Sequence, residues 1–584
     1  MTGPAAGPVA APASRARLLL GLAAVAVAFA AADTYVVVLA LPDMMGAVGV
    51  PVDQLQRAAP IVSGFLLGYV AMLPLIGRIA DLRGRVPVLV AALVLFAAGS
   101  LVTTLAYDMP SLVAGRFLQG VGGGGLVPAT LALVADLYPA ERRGVPLGVV
   151  SAVQELGSVL GPLLGALVLA VADWRGIFAL NLAVGLVLAG AIRAAAPDDP
   201  VRRSGRPDLV GAGLLVVTLA AAALASTQPP PLLRDLTWGR LFIPVVGSGR
   251  WLTPVGLVAV VGLVLLLVRC ATAARPLVDL RGWGRATRDA DLVGSTLLAI
   301  ALAGVILAFA TADPRIQLFS DQGLWYLLGA AVAAVAFVVH LRRADDPLVP
   351  RGALRRTPAW GSVLVSVFVG AALIAALIDI PLFARTTIHG DSQLMAALVL
   401  VRFLVALPVG AVTGGYLVRS LPAGLVTALG MVCAAAGFVL MSQWELTSLE
   451  HWTSDVALVV GGFGFGLALA PVNAAVLAST ADDVHGLASA LVVVARMVGM
   501  LVGVSALTTL GLRRYYAEQA DLPDVREVCD GKSRCDAFTL LLQEAGIAQE
   551  QTVFLGAAGC ALAAAVLALL LFRGAATRGV RALP

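Results

Sequence analysis

About sixteen apolar runs of roughly twenty residues each divide this chain. A run of that length matches a helix crossing a hydrocarbon core about 30 Å thick at about 1.5 Å per residue. Composition agrees. Hydrophobic residues make up 60% of the 584 and charged residues 13%, against about 45–50% and about 25% in a soluble globular chain. The expected fold is therefore an all-α polytopic membrane protein. The net charge of +5 is carried almost wholly by arginine, with Lys532 the one lysine. Arginine clustered between spans reads as a positive-inside bias and not as a nucleic-acid surface.

Residues 1–14 are rich in Ala, Pro and Gly and are expected to form a disordered cytoplasmic tail. Arg15 and Arg17 precede the first apolar run, 18–41. Ala28-Phe29-Ala30 fits a signal-peptidase site, so a cleaved leader is the competing reading; the run continues to Leu41, long enough to span, and no cleavage is expected. Five more runs follow at 58–76, 86–106, 109–137, 146–170 and 176–192. Between them Arg78, Arg83, Arg85, Arg142 and Arg143 share the side of the N-terminus, and Asp43, Asp53, Asp108 and Asp173 fall opposite. This alternation assigns 15–193 to an N-terminal six-helix half with a cytoplasmic N-terminus.

Residues 194–357 read as a linker built from two helical hairpins in tandem. Asp208-Leu209-Val210-Gly211 opens the first and Asp291-Leu292-Val293-Gly294 the second, and Pro276-Leu277-Val278 and Pro347-Leu348-Val349 close them. A C-terminal six-helix half is expected over 358–573, with runs at 360–383, 393–417, 422–441, 455–479, 487–510 and 553–572. Between the last two, 511–552 is a hydrophilic excursion on the outer side, and Cys529 and Cys535 bracket its turn as the one cysteine pair placed for a disulfide. Residues 574–584, with Arg578 and Arg581, read as a cytoplasmic tail.

Charges inside the spans are the candidate machinery, because each costs about 2.5–3.5 kcal/mol in the hydrocarbon and normally faces a partner or a cavity. Counting about 1.5 Å per residue puts Glu155 and Arg496 at one depth, near ~14 Å from the cytoplasmic end. Asp33 and Arg116 fall together in the outer half. Arg402 is deep in its span, and Asp379 lies close to the outer edge. Static salt bridges are the competing reading for each pair. The functional reading is that a carboxylate enclosed away from its arginine binds a proton and gives it up when the arginine approaches, which makes Asp33 and Glu155 the proton-coupling candidates. Gly157, Gly161 and Gly165 recur on the face of the Glu155 helix, where a neighbouring backbone can come close, and Pro162 removes one helix hydrogen bond there.

Gly77-Arg78-Ile79-Ala80-Asp81-Leu82-Arg83-Gly84-Arg85 resembles the signature loop of the major facilitator superfamily. Arg116-Phe117-Leu118-Gln119-Gly120 resembles its fourth-helix motif, and the stretch from Gly157 through Gly161-Pro162 to Gly165 the antiporter motif of its drug:proton exporters. The extra central spans and Trp174 to Asn181 point to the branch with helices inserted between two six-helix halves. More narrowly, Asp33 to Val38, Arg402 to Gly410 and the long excursion resemble the mycobacterial exporters of drugs and triacylglycerides. The resemblance implies two six-helix halves plus linker helices, usually fourteen in that branch; the second hairpin departs from it and brings the expected count here to about sixteen, or fourteen if it does not cross. It implies a conformational latch at Gly77, Asp81, Arg83, Gly84 and Arg85, held mostly by the first half, since Gly414 to Ser420 in the second half lacks the acidic residue.

The function expected is proton-coupled antiport exporting hydrophobic or amphipathic compounds, drugs or lipids, from the plasma membrane. Uptake symport of a polar solute and a non-transporting receptor or scaffold are the alternatives. An extracytoplasmic lipid-carrying lipoprotein is a further partner that the narrower resemblance implies. Gly120 to Gly125 fits a dinucleotide-binding pattern but sits within a membrane span without a preceding strand, so close helix packing is expected. No cofactor, metal cluster or catalytic triad is read from the chain.

Overall fold

The computed structural model describes residues 13–50, 59–196, 208–310, 322–388, 393–530 and 535–577. Asp53, Lys532, most of the expected N-terminal tail and residues 578–584 of the expected C-terminal tail lie outside them. All regular secondary structure among the described residues is helical. Among the described residues fifteen helices are long and apolar enough to cross a membrane. One more, Gly144–Leu169, is of like length at 26 residues.

The first half comprises α1 (Ala13–Ala47), α2 (Ala59–Arg83), α3 (Arg85–Thr104), α4 (Met109–Leu137), α5 (Gly144–Leu169) and α6 (Trp174–Ala195). α4 packs between α2 and α3, α1 lies along α5, and α3 along α6. The glycine run of α4 explains the first of these. A methyl at Gly120 or Gly124 would strike the carbonyls of Phe65 and Tyr69 in α2, and one at Gly122 the backbone of Phe96 in α3. These glycines serve helix contact on two sides.

The linker follows as α7 (Leu209–Thr227), the short α8 (Pro230–Arg234), α9 (Pro254–Thr272), α10 (Leu280–Asp289), α11 (Leu292–Ala310) and α12 (Gly323–Arg343). The duplication read in the sequence has a physical echo at both hairpin entrances. Asp208 accepts the Gly211 N–H and pairs with Arg269 of α9, while Asp291 accepts the Gly294 N–H and meets His340 of α12 at 2.8 Å. Each aspartate caps its first helix and ties down the end of the second. Both hairpins expose Leu and Val over most of their surface, but α11 also packs on helices of both halves.

The second half contains α13 (Thr357–Thr386), α14 (Gln393–Leu417), α15 (Ala423–Met441), α16 (Trp452–Ser479), α17 (His485–Ala520), the short α18 (Val525–Val528) and α19 (Asp536–Leu571). α17 and α19 each have 36 residues, about 54 Å of helix. They must project well past a hydrocarbon core of about 30 Å. A Cys529–Cys535 disulfide, Cα atoms 5.5 Å apart, links the two sides of the turn between them.

The halves meet where α2 and α4 face α17 and where α5 faces α14 and α16. Two seams are tightest at the arginine-rich end, which carries the α2–α3 loop. Gly77 and Gly486 each bring the other's backbone carbonyl within reach of an added methyl, and Gly144 and Gly415 do the same.

Candidate functional site

Asp33 and Arg116 are wholly buried, and Arg116 Nη1 donates to Asp33 Oδ2 at 2.7 Å. Their neighbours add further bonds, although the buried Arg116 Nε has no partner. Gln119, one turn beyond Arg116, accepts from Arg116 at 2.6 Å and donates to both Asp33 Oδ1 and Ser100 Oγ. Asn181 of α6 donates to the same Asp33 oxygen. The Arg116 guanidinium also stacks over the Phe65 ring, 4.3 Å from its centroid. Two helices, α4 and α6, thus converge on the carboxylate of α1. Cutting either partner of such a pair leaves an uncompensated buried charge, worth about 3–5 kcal/mol.

Glu155 of α5 and Arg496 of α17 are also buried and stand eleven residues into their helices, about 16 Å from the arginine-rich end. Each helix belongs to a different half. Arg496 acts on Glu155 through its charge, and the Tyr69 hydroxyl of α2 lies in the field of both. Among the described residues no ion pair within 4.0 Å joins them. Gly157 and Gly161 let α5 lie directly on Ala28 and Ala32 of α1, fixing the Glu155 helix to the Asp33 helix. Gly165 is buried, and the Pro162 side chain lies outside the described residues.

The latch residues form the third constellation. Asp81 accepts the N–H groups of Gly486 at 2.7 Å and Leu487 at 2.9 Å. These are among the orphan donors at the start of α17, whose own N-cap, Val484, supplies no side chain. Asp81 therefore caps a helix of the other half, where a carboxylate also meets the positive end of the helix dipole. Arg85 holds Asp81 at 3.1 Å and donates to the Asp482 carbonyl, and Arg78 donates to the Asp483 carbonyl. Gly84 takes φ +91° in the turn, a conformation that favours glycine. Arg83 turns away toward the linker. It pairs with Asp279 at 2.8 Å and lies over the Trp283 ring of α10.

The other two candidates are not in these clusters. Arg402 is exposed and pairs with Asp455 at 2.7 Å. Asp379, expected near the membrane edge, is buried in α13 beside Glu550 of α19. Sequence reasoning allowed helix at both ends of 511–552 but did not single out Glu550, because a carboxylate in a hydrophilic excursion looks solvated. It also missed the roles of Ser100, Gln119 and Asn181. Polar residues inside apolar spans were the available signal.

Residues 23–342 match the family model of the Major Facilitator Superfamily. A triacylglyceride transporter of Mycolicibacterium hassiacum is 35% identical over 501 residues, 84% of this chain and 78% of that protein. A triacylglyceride transporter of Mycolicibacterium smegmatis is 33% identical over 571 residues, 95% of this chain and 87% of that protein. Among solved structures, a human organic anion transporter superposes with a TM-score of 0.52 at 15% identity, covering 96% of this chain and all of that one. A proton:xylose symporter gives 0.53 at 14% identity, with 95% of each chain covered. At those identities the likeness is one of fold.

Proposed function

Since the chain belongs to the major facilitator superfamily, we propose that it is a proton-coupled antiporter that exports lipids, triacylglycerides foremost, and related amphipathic compounds. The observation that carries this reading is the contrast between two buried carboxylates. Asp33 is saturated by Arg116, Gln119 and Asn181, whereas Glu155 feels Arg496 across the boundary between halves without touching it.

Rocking of the halves changes the Glu155–Arg496 distance and leaves the Asp33 network, which lies within one half, intact. A carboxylate enclosed away from a cation takes up a proton and releases it when the cation comes near. Glu155 then exchanges the proton and Arg496 sets when. Asp33 and Arg116 anchor α1, along which the Glu155 helix is held. The capped α17 and the paired glycines close the arginine-rich end, the arrangement an exporter adopts when its cavity faces outward. The positive-inside bias supports placing that end, with both chain termini, in the cytoplasm of a cell bearing the protein in its plasma membrane. Lipid as cargo rests on the likeness to the mycobacterial triacylglyceride transporters. The α17–α19 projection is suited to meet an extracytoplasmic lipid-carrying lipoprotein.

The test is proton release from inverted vesicles on adding triacylglyceride or a lipophilic cationic dye outside, comparing the natural protein with Glu155→Gln. Release that needs both substrate and Glu155 supports the reading. Substrate movement without proton movement in either protein would overturn antiport.

A further inference from the structure

Asp379 and Glu550 lie apart from the machinery above and bind α13 to α19 in an unusual way. Both are buried, at 5% and 1% exposure, and their carboxyl groups are within hydrogen-bonding reach of each other. Ionised carboxylates carry acceptors only, so such a contact needs a proton between them. Gln549 donates to Glu550 Oε1 at 3.1 Å, but Glu550 Oε2 has no donor. Pro381, two residues beyond Asp379, removes one helix hydrogen bond in this part of α13.

Among the described residues no ion pair within 4.0 Å joins a cation to Asp379 or Glu550, and Arg385, farther along α13, is exposed. On the helices packed against them, Arg402 of α14 and Asp455 of α16 pair with each other on the surface. α15 carries no charged residue. In α17, Arg496 lies far down the helix, Arg514 pairs with Glu518, and Arg513 is exposed. Arg526 and Glu527 of α18, and Asp536 and Glu544 of α19, are exposed as well. Beside the pair is a cavity of about 640 Å³ between α13, α17 and α19, reached by Glu550 and also lined by Arg385, Tyr515 and Tyr516.

We propose that Asp379 and Glu550 form a proton-binding site, filled from this cavity, and that the shared proton fastens α13 to α19. Loading is a simple transfer: hydronium in the cavity gives its proton to the pair and leaves as water. The proton sits between two acceptors that would otherwise repel inside the protein. Losing it turns a hydrogen bond into a like-charge contact and loosens the base of the α17–α19 projection. The site is independent of the Glu155 reading.

The decisive experiment is infrared difference spectroscopy of the full chain in lipid nanodiscs during a pH titration without substrate. The natural protein is expected to show a protonated-carboxyl C=O band that disappears as pH rises. That band should be lost in both Glu550→Gln and Asp379→Asn and kept in Glu155→Gln. A band that survives in both variants, or is absent at every pH in the natural protein, overturns the proposal. Should the variants fail to fold, dicyclohexylcarbodiimide, which attacks protonated buried carboxyls, gives a test on the natural protein. Mass spectrometry should locate an adduct on Asp379 or Glu550 that declines with rising pH; no adduct on either at acid pH overturns it.

Discussion

The two seams between the halves are built to one plan and fastened differently. In both, a helix begins against the closing turns of a helix of the opposite half, with glycines in mutual backbone contact: Gly486 of α17 on Gly77 of α2, and Gly144 of α5 on Gly415 of α14. Four residues beyond Gly77 stands Asp81, which caps α17. Four residues beyond Gly415 stands Arg419, exposed and folded over the Tyr416 ring. α5 receives no side-chain cap from its own N-cap Arg143 either. One seam therefore adds charge-assisted hydrogen bonds to its steric fit, and the other has the fit alone. A latch that must open needs only one seam with a strong directional bond, because hydrogen bonds are lost abruptly with distance while close packing tolerates sliding.

Removing the directional bond should break the comparison most visibly. Asp81→Ala deletes two hydrogen bonds to a charged acceptor, each worth about 1.5–3 kcal/mol. Spin labels across the arginine-rich end should then report a wider, more mobile separation. An unchanged distance distribution would falsify the capping role. Next in size is Gly415→Ala, whose methyl meets the Gly144 carbonyl. Overpacking of this kind costs about 1–3 kcal/mol, and the same labels should show the second seam parted while the first stays capped. If the separation is unaltered, the glycine contact is not what closes that seam.

Arg419→Asp tests the comparison in the constructive direction. A new cap on α5 is worth about 0.5–2 kcal/mol, so the closed arrangement should gain population and turnover should slow. Faster turnover would contradict the assignment of Arg419 to the register of Asp81. The smallest effect belongs to Arg83→Ala, which cuts the linker contact. Its partner Asp279 is 44% exposed, and exposed pairs contribute about 1 kcal/mol or less. The Gly282 N–H and then Arg83 hold the Asp279 carboxyl below its ordinary range. Its contribution is thus full above that range and lost as pH falls through it. Melting curves of Arg83→Ala and the natural protein should therefore converge on acidification; a constant gap would assign the loss to the Trp283 contact.

Much of this machinery was legible because a membrane makes polar residues conspicuous. Asp33, Arg116, Glu155 and Arg496 stand out as charges in apolar runs, and counting helix turns set the members of each pair level with one another; the structure brings Asp33 and Arg116 into contact and leaves Glu155 and Arg496 without an ion pair. Nothing in the run pattern showed that Asp379 is buried or that Glu550 is its neighbour, because that depends on how α13 and α19 face each other.

By itself the sequence determined that this chain must be a bundle of membrane helices and which helices carry charge. Those properties follow from the cost of exposing backbone and charge to hydrocarbon, a local matter of run length and residue type. Only the tertiary structure decided which charges touch. It joined Asp33 to three partners, held Glu155 apart from Arg496, set Asp81 on the end of α17 and brought two carboxyls together at Asp379 and Glu550. Those outcomes depend on how helices far apart in the chain are rotated and spaced against each other, which glycine contacts and caps fix one interface at a time.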